Sequence, residues 1–352
     1  MHKLRAAAIC VTVMLLAPAG ALAKTFTVAV GPPGKVPAHL DLSAFFPSAL
    51  TIHPDDSVRF QINGFHDIAY LPPGMAPPPL AIPEPGSRAG YIRDAAGAPF
   101  WFDSAPKLRV NPIVAQPAGT GLLDPAAYAN SGLPSRSTLT GSYVLRFARP
   151  STYRLYCLVH RGMTIVVRVV PRSRRIPAPA RVQATAQAQF RAGLHLARRL
   201  EAFRPPRLTV LAGHDAGPVS WMRFFPEHLR IRVGQTVTFR VDSMMEPHTI
   251  TFGPESYTGA IERTLNEPQP VPDGPPAVVF NPLGVYPSEP PGAPLIYTGA
   301  NHGNGFLNSG MLDTDPHTPN PSSVRIRFTR PGTYHFECVI HPDMDGTVTV
   351  TP

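Results

Sequence analysis

Two short segments of the chain carry the residue types best suited to metal chemistry. In each segment a cysteine is followed by a histidine after three positions and by a methionine after six. The segments are Cys157-Leu158-Val159-His160-Arg161-Gly162-Met163 and Cys338-Val339-Ile340-His341-Pro342-Asp343-Met344. A thiolate, an imidazole and a thioether are soft-to-borderline metal ligands. Because the same spacing follows both cysteines, chance is a poor explanation, and a metal-binding loop is predicted twice.

A further histidine precedes each of these cysteines by nearly the same interval, His66 in one case and His248 in the other. Two imidazoles and a thiolate in one plane, with a methionine sulfur as a weak axial ligand, form a blue-copper site. We therefore predict two mononuclear copper ions per chain and no catalytic residues. The predicted ligands of the first ion are His66, Cys157, His160 and Met163, and those of the second are His248, Cys338, His341 and Met344.

The amino terminus has the organisation of a signal peptide. His2, Lys3 and Arg5 precede a short apolar stretch, and Ala21-Leu22-Ala23 matches a cleavage signature. We predict that residues 1–23 are removed and that the protein is exported to the periplasm, the cell envelope or the extracellular space. Cys10 would leave with this segment, and an exported protein could then join its two remaining cysteines in a disulfide. The repeated loops favour metal binding instead.

The rest of the chain repeats itself once. Ligand loops aside, matching segments include Phe45-Phe46-Pro47 with Phe224-Phe225-Pro226, and Asn130-Ser131-Gly132 with Asn308-Ser309-Gly310. A single repeat of this length indicates two copies of one fold rather than a solenoid. The predicted organisation is residues 24–171 as a first domain, 172–206 as a linker and 207–352 as a second domain.

Apolar and polar residues alternate in short runs, as at Val237, Phe239 and Val241, which is typical of half-buried strands. The 45 prolines disfavour helix interiors and central strands, so short strands with long loops are expected. We predict an antiparallel sandwich in each copy, with both cysteines ending a strand and facing inward. Between the copies, residues 180–203 predict an amphipathic helix, which would serve as a packed spacer or as a basic membrane-surface helix.

Both halves resemble cupredoxins of the plastocyanin and amicyanin type, and the spacing of the ligand loop is closest to that of amicyanin. The resemblance implies an all-β fold of two tandem Greek-key β-sandwich domains, joined here by the amphipathic α-helical linker. It also implies two type 1 copper sites that transfer electrons. The histidines of the C-terminal loops, His160 and His341, would be the solvent-edge ligands, and the N–H groups of Asp67 and Thr249 would lie near the cysteine sulfurs.

The sequence departs from a small cupredoxin in two long Pro/Gly-rich insertions between the first histidine and the cysteine. Long loops of this kind are usually functional covers or mobile segments. Their aromatic residues are expected either to pack over a copper edge or simply to anchor the insertions. These residues are Phe100, Trp101, Phe102, Tyr286 and Phe306.

Three classes of function are compatible with the copper loops. An electron carrier needs only the eight ligands. A copper oxidoreductase would need H-x-H pairs or a histidine beside each ligand cysteine, and the sequence has neither. A copper delivery or sequestration protein would carry methionine- or histidine-rich arms, and only Met244-Met245 comes close. The sequence therefore favours a carrier over an enzyme.

Charge gives information about partners. The formal net charge of +9 favours acidic redox partner proteins or an anionic envelope surface. Basic residues do not form a patch interleaved with aromatics, so no nucleic-acid partner is predicted, and no later segment is apolar enough to predict a transmembrane span. Arg161 follows His160, whereas Asp343 follows His341 by two residues. Because positive charge favours Cu(I), the first site is expected to have the higher potential.

Overall fold

The computed structural model describes residues 23–134, 139–242, 245–265, 267–271 and 274–352. The predicted signal peptide lies outside the described residues, apart from its last position. The described chain is mostly β, with several sheets and one helix of 23 residues. No helix in the described ranges has both the length and the apolar character to span a membrane.

Two sheets form the first half of the chain. The order of the first sheet is β3 (Phe45–Phe46), β1 (Thr25–Val30), β5 (Ser57–Asn63), β11 (Thr140–Arg146) and β9 (Gly121–Leu122). The order of the second is β10 (Ala129–Asn130), β6 (Ala69–Tyr70), β12 (Ser151–Tyr156), β13 (Thr164–Val169) and β4 (Ala49–Ile52). Strand β5 shows why these segments are strands, because Val58, Phe60 and Ile62 are buried while Arg59 and Gln61 between them are exposed.

Two further sheets form the second half. The third sheet has the order β2 (Leu40–Leu42), β15 (Val219–Phe225), β14 (Thr209–Ala216), β17 (Thr236–Arg240), β23 (Ser323–Phe328) and β21 (Leu295–Tyr297). The fourth has the order β16 (His228–Arg232), β25 (Asp345–Thr351), β24 (Gly332–Glu337), β18 (Thr251–Phe252) and β22 (Leu307–Asn308). Each half has its own cluster of buried apolar side chains. The domain boundaries drawn from the sequence stay a prediction.

The expectation of purely antiparallel sheets is wrong. Strand β1 runs parallel to β5 and β4 runs parallel to β13, and the second half repeats this in the pairs β14–β17 and β16–β25. Side chains alternate with the same period in parallel and antiparallel ladders. Alternation along the sequence therefore predicts the strands but not their directions.

One strand of the first half belongs to a sheet of the second half. Strand β2 pairs with β15 so that Leu40, Asp41 and Leu42 lie opposite Trp221, Ser220 and Val219. Phe46 and Phe225 are equivalent positions of the two repeats. At the same offset, Leu40–Leu42 of the first half is equivalent to Val219–Trp221 of the second. If the two halves were exchanged, each residue pair of this ladder would be replaced by an equivalent pair. The isologous interface of a twofold homodimer has the same property.

The linker helix is confirmed as α2 (Pro179–Glu201), which begins with a proline at its first turn. Its buried residues include Gly193, and also Ala186 and Ala197, which join an apolar cluster with Leu42 of the first half and Trp221 of the second. A Cβ on Gly193 would lie 3.2 Å from the Leu42 side chain, so the glycine permits close packing at that point. The helix thus packs against both halves, as a spacer would.

The two insertions pack against each other. They comprise β7 (Ala81–Arg88), β8 (Pro106–Val110), α1 (Pro112–Ala115), α3 (Glu255–Leu265), β19 (Pro268–Val271), β20 (Gly274–Val278), α4 (Pro282–Val285) and the 3-10 turn Asn301–Gly303. Phe102 of the first insertion stacks on Tyr286 of the second, and Phe100 meets Phe306 edge to face. The same cluster includes Val339 from the second ligand loop. The aromatics therefore anchor the insertions to each other and also support that loop.

We expect Leu42→Ala to lower the free energy of unfolding by about 2–5 kcal/mol, because it leaves a cavity between the two halves and the helix. Urea denaturation of the purified protein measures this loss. Leu122→Ala is the matched control, since Leu122 is 51% exposed, and its effect should stay within about 0.5 kcal/mol. Equal losses in the two variants would contradict the packing described here.

His302 joins the insertions through two acidic groups, with Nε2 3.1 Å from Glu289 and Nδ1 3.0 Å from Asp94 of the other half. The hydrogen bond to Glu289 contributes most to raising the pKa of His302, burial opposes it, and Asp94 adds to the increase. A raised pKa stabilises the folded protein fully below the ordinary value of 6.5, and this contribution is lost as the pH rises through the raised value.

Thermal melts between mildly acidic and alkaline pH should therefore show a decline in stability with rising pH that His302→Gln reduces. His195→Gln, at an exposed position on α2, is the control and should leave the decline as in the parent. A decline unchanged by His302→Gln would contradict this assignment.

Candidate metal centres

Each ligand loop is the connection between two paired strands. Cys157 directly follows β12, and Met163 directly precedes β13. The Cys157 N–H donates to the Met163 carbonyl at 3.0 Å, and the Met163 N–H donates to the His160 carbonyl at 3.2 Å. The loop between β24 and β25 repeats both bonds, at 2.9 Å and 3.3 Å. The backbone therefore closes the same turn at both sites and gathers three of the predicted ligands.

At the first site, three side-chain atoms surround one point. The Nδ1 atoms of His66 and His160 lie 2.9 Å apart, and their distances to the Cys157 Sγ are 4.0 Å and 3.5 Å. A point equidistant from these three atoms lies about 2 Å from each, which is the length of imidazole–metal bonds. The three residues are also buried.

The second site has the same geometry. The Nδ1 atoms of His248 and His341 lie 3.1 Å apart, and their distances to the Cys338 Sγ are 3.8 Å and 3.6 Å. The equidistant point is again about 2 Å from each atom. Met163 and Met344 are buried at the base of their loops. The donor set and spacing at both sites therefore fit a type 1 copper ion.

The first histidine of each site rests against a glycine in the left-handed region. Gly213 has φ +74°, and a Cβ there would lie 2.4 Å from the His248 Nε2. Gly31 has φ +83°, and its Cβ would lie 2.7 Å from the His66 ring. Glycine is therefore required twice over, for the backbone conformation and for the close approach of the imidazole.

The Asn-Ser-Gly repeat, for which sequence analysis predicted no role, fixes the segment that follows the first histidine. The Ile68 N–H donates to the Ser131 Oγ at 2.9 Å, and the Ile250 N–H donates to the Ser309 Oγ at 2.8 Å. Each neighbouring asparagine donates from its side-chain amide to three carbonyls around the short helix of the insertion, α1 or α4. The motif thus connects the insertion to the segment that follows the first histidine of each site.

The residue after the first histidine differs between the sites. The Thr249 N–H donates to the Cys338 Sγ at 3.4 Å, as the family resemblance implied, and its hydroxyl accepts from the Val339 N–H at 3.0 Å. In the first site, the Asp67 carboxylate accepts from the Leu158 N–H at 2.6 Å. Burial and the nearby Cys157 raise the pKa of Asp67 well above its usual range. The two sulfurs therefore sit in different polar surroundings.

The cysteines are held in the form that binds metal. Burial raises the pKa of the Cys157 thiol, but His160 and His66 outweigh it and bring the pKa well below the usual value. The Cys338 thiol shows the same net decrease, with His341 and His248 opposing burial. A thiolate is the form that coordinates a metal ion. Both cysteines are free rather than joined in a disulfide.

An acidic side chain from the shared strand β2 reaches the first site. The Asp41 carboxylate lies 3.3 Å from the His66 Nε2. Burial lowers the pKa of His66, but Asp41 outweighs it and raises the value to about 9. A carboxylate on the far nitrogen orients the ring and leaves Nδ1 directed towards the sulfur. This contact was not predictable from the sequence, because Asp41 lies in a segment that pairs with the other half.

The loop histidines are not at the solvent edge. His160 is 3% exposed, and its Nε2 lies 2.7 Å from the Glu246 Oε1. The His341 Nε2 lies 3.3 Å from the Glu246 Oε2. Burial raises the pKa of Glu246, but the two histidines, His160 foremost, bring it well below its usual range. The family expectation of two exposed histidine edges is therefore wrong here, since both edges meet one buried carboxylate between the halves.

The charge contrast between the loops is also altered by the fold. The Arg161 Nε lies 2.5 Å from the Asp315 Oδ2 of the second half. The positive charge on which the higher potential of the first site was predicted is therefore offset by an anion. That the first site has the higher potential stays a prediction, and this contact reduces the charge difference on which it rests.

Comparisons with known proteins give cupredoxin structures. A reduced amicyanin variant has 20% sequence identity and a TM-score of 0.22, and the match covers 43% of this chain and 89% of amicyanin. The plastocyanin of the fern Dryopteris crassirhizoma has 20% identity and a TM-score of 0.21, with 41% and 99% covered. No family model matches the sequence, and no curated protein matches it. With TM-scores this low, the case for the metal centres rests on the ligand geometry.

We expect Gly213→Ala to abolish metal binding at the second site, because the new Cβ would collide with the His248 ring. Copper titration of the purified variant should give one equivalent fewer than the parent. Gly234→Ala is the matched control, since Gly234 has φ +84° with open space around a Cβ, and it should keep the full stoichiometry. If both variants lose copper equally, backbone strain rather than crowding of His248 is responsible.

Proposed function

We propose that this chain is an exported electron-transfer protein with two type 1 copper sites in two tandem cupredoxin domains. The observation that carries the proposal is the pair of matching buried triangles, each made of one cysteine sulfur and two histidine Nδ1 atoms. Copper bound there would alternate between Cu(I) and Cu(II), and the ligands proposed are the eight residues identified from the sequence. The rest of the proposal concerns what the protein does for such an ion.

The protein supports electron transfer by keeping the ligands in place. His66 is held by Asp41 and by the packing of Gly31, and His248 is held by Gly213. The loop cysteines are fixed by backbone hydrogen bonds at the ends of strands. Ligands restrained from several sides move little when the charge of the ion changes, so little reorganisation opposes the transfer of an electron.

Copper delivery is the less favoured alternative. Delivery requires that a recipient reach the ligands, and here His66, Cys157 and His160 are at least 95% buried. At the second site His248 and Cys338 are also buried. Release would therefore need the two halves or the ligand loops to separate, which suits a retained cofactor better than a cargo.

A copper oxidoreductase is also less favoured. Such enzymes need additional histidines to build further copper centres, and the sequence contains no H-x-H pair. The cysteines are flanked by Tyr156 and Leu158, and by Glu337 and Val339, rather than by histidines. The ligand sets are those of a carrier, so we propose no catalytic residue.

The proposed setting is the periplasm or another space outside the cytoplasm. The signal-peptide pattern at residues 1–23 supports export. Without Lys3 and Arg5 of the signal peptide, the net charge of +9 becomes 30 − 23 = +7. This charge supports acidic redox partner proteins or association with an anionic envelope surface, through complementary charge.

Copper loading tests the proposal. The mature protein should bind two copper ions and show the intense visible absorption of a thiolate–Cu(II) bond. Cys157→Ser and Cys338→Ser should each remove about half of that absorption and one equivalent of copper, because each removes one thiolate. Metal analysis and visible spectroscopy on the same samples measure both quantities.

His228→Gln is a suitable control, because His228 is exposed and its ring contacts Thr347 rather than either metal centre. It should keep the absorption and the copper content of the parent. A protein that forms a Cys157–Cys338 disulfide, or that binds copper without the thiolate absorption, would refute the proposed function.

A further inference from the structure

One carboxylate connects the two candidate copper sites. The two oxygens of Glu246 contact different histidines, Oε1 at 2.7 Å from the His160 Nε2 and Oε2 at 3.3 Å from the His341 Nε2. In both rings the other nitrogen, Nδ1, faces the cysteine sulfur of its own site. The connection therefore runs from one site to the other through two imidazole rings, two hydrogen bonds and one carboxylate.

This connection lies inside the protein. The side chains of His160 and Glu246 are 4% and 9% exposed, and that of His341 is 13% exposed. Water and long polar side chains therefore have little access to the edges of the two rings. Hydrogen bonds in such a low-dielectric environment are stronger and better defined than at a surface.

The bridging residue is present in only one of the two repeats. His248 and His66 are repeat equivalents, and the position two residues before each is Glu246 in the second half and Gly64 in the first. A Cβ on Gly64 would approach the His66 Nε2 to 3.2 Å, so a side chain there would crowd the first site. One carboxylate is sufficient because the two ligand loops face each other across the interface.

We infer that Glu246 is an electron-transfer bridge that couples the two copper sites within one chain. The inference rests on the proposed function. In the coupled step one electron leaves the reduced site, which becomes oxidised, and reduces the other site. Glu246 accepts the same two N–H groups before and after, so no proton has to move. The two sites then act as a connected pair rather than as independent carriers.

Glu246→Gln is the informative substitution. It keeps the size of the side chain, but an amide has a single acceptor oxygen and its NH2 group opposes the second imidazole N–H. One of the two hydrogen bonds is thereby lost. Asp94→Asn is the matched control, because it also removes one negative charge and one contact between the halves, that with His302, without touching the bridge.

The experiment must distinguish reduction of one copper site from reduction of the other. A Met344→Leu background changes the axial ligand of the second site and so gives the two sites different spectra and potentials. In this background, a brief photoreduction of the copper-loaded protein should be followed by a redistribution phase whose rate does not depend on protein concentration. Glu246→Gln should slow this phase on the order of tenfold or more, because the hydrogen-bonded connection is interrupted. Asp94→Asn should leave it unchanged.

A second measurement does not depend on electron transfer. In NMR spectra of the Cu(I) protein, the Nε2–H resonances of both His160 and His341 should shift in Glu246→Gln and stay in place in Asp94→Asn. Copper content is measured on every sample.

The outcomes separate the two proposals. If the parent protein binds no copper, the proposed function fails. If all variants bind two coppers but Glu246→Gln redistributes the electron as fast as the parent, the bridge is refuted while the carrier function stands. The bridge is also refuted if the parent's redistribution rate rises with protein concentration, since the electron then passes between molecules.

Discussion

The whole arrangement depends on holding three metal-ligand atoms together inside the protein. At each site two imidazole nitrogens lie 2.9–3.1 Å apart beside a cysteine sulfur. The histidines bring the pKa of that buried thiol well below its usual value. An anionic sulfur inside a protein needs positive charge beside it, from a protonated histidine or from a bound cation. The chain builds this cluster at two places and surrounds each with features that keep the three atoms in position, which suits a soft cation bound between them.

Several supporting features occur in both halves, and these are the ones that the ligand geometry requires. The glycine under the first histidine, the serine that fixes the following strand and the bond between the cysteine and methionine backbones all occur twice. Features that occur once have a different role. Asp41 and Asp67 belong to the first site alone, and Glu246 serves both. The repeated set builds a site, whereas the single set distinguishes the sites or connects them.

Sequence reasoning recovered the local features of this protein and missed those that depend on pairing between distant segments. The spacing around Cys157 and Cys338 predicted two matching loops, in each of which the structure brings the cysteine and the histidine together. The amphipathic run predicted helix α2, and both patterns are local. The parallel strand pairs, the placement of β2 in the sheet of the other half and the burial of His160 were not predictable. Alternation does not encode strand direction, and a contact such as that between His160 and Glu246 joins halves whose orientation no single segment specifies. The difference between Gly64 and Glu246 at equivalent positions of the repeat was an available sign.

The self-complementary pairing of β2 with β15 determines which residues can lie between the two halves. A twofold dimer of identical chains must place any residue near its axis twice, so two carboxylates would compete for the space between the loop histidines. Two halves of one chain, joined by helix α2, do not have that restriction. The sequence of each half can differ from the other while the strand pairing at the interface stays symmetric. A symmetric interface within one chain can therefore hold a single carboxylate, Glu246, between the two loop histidines.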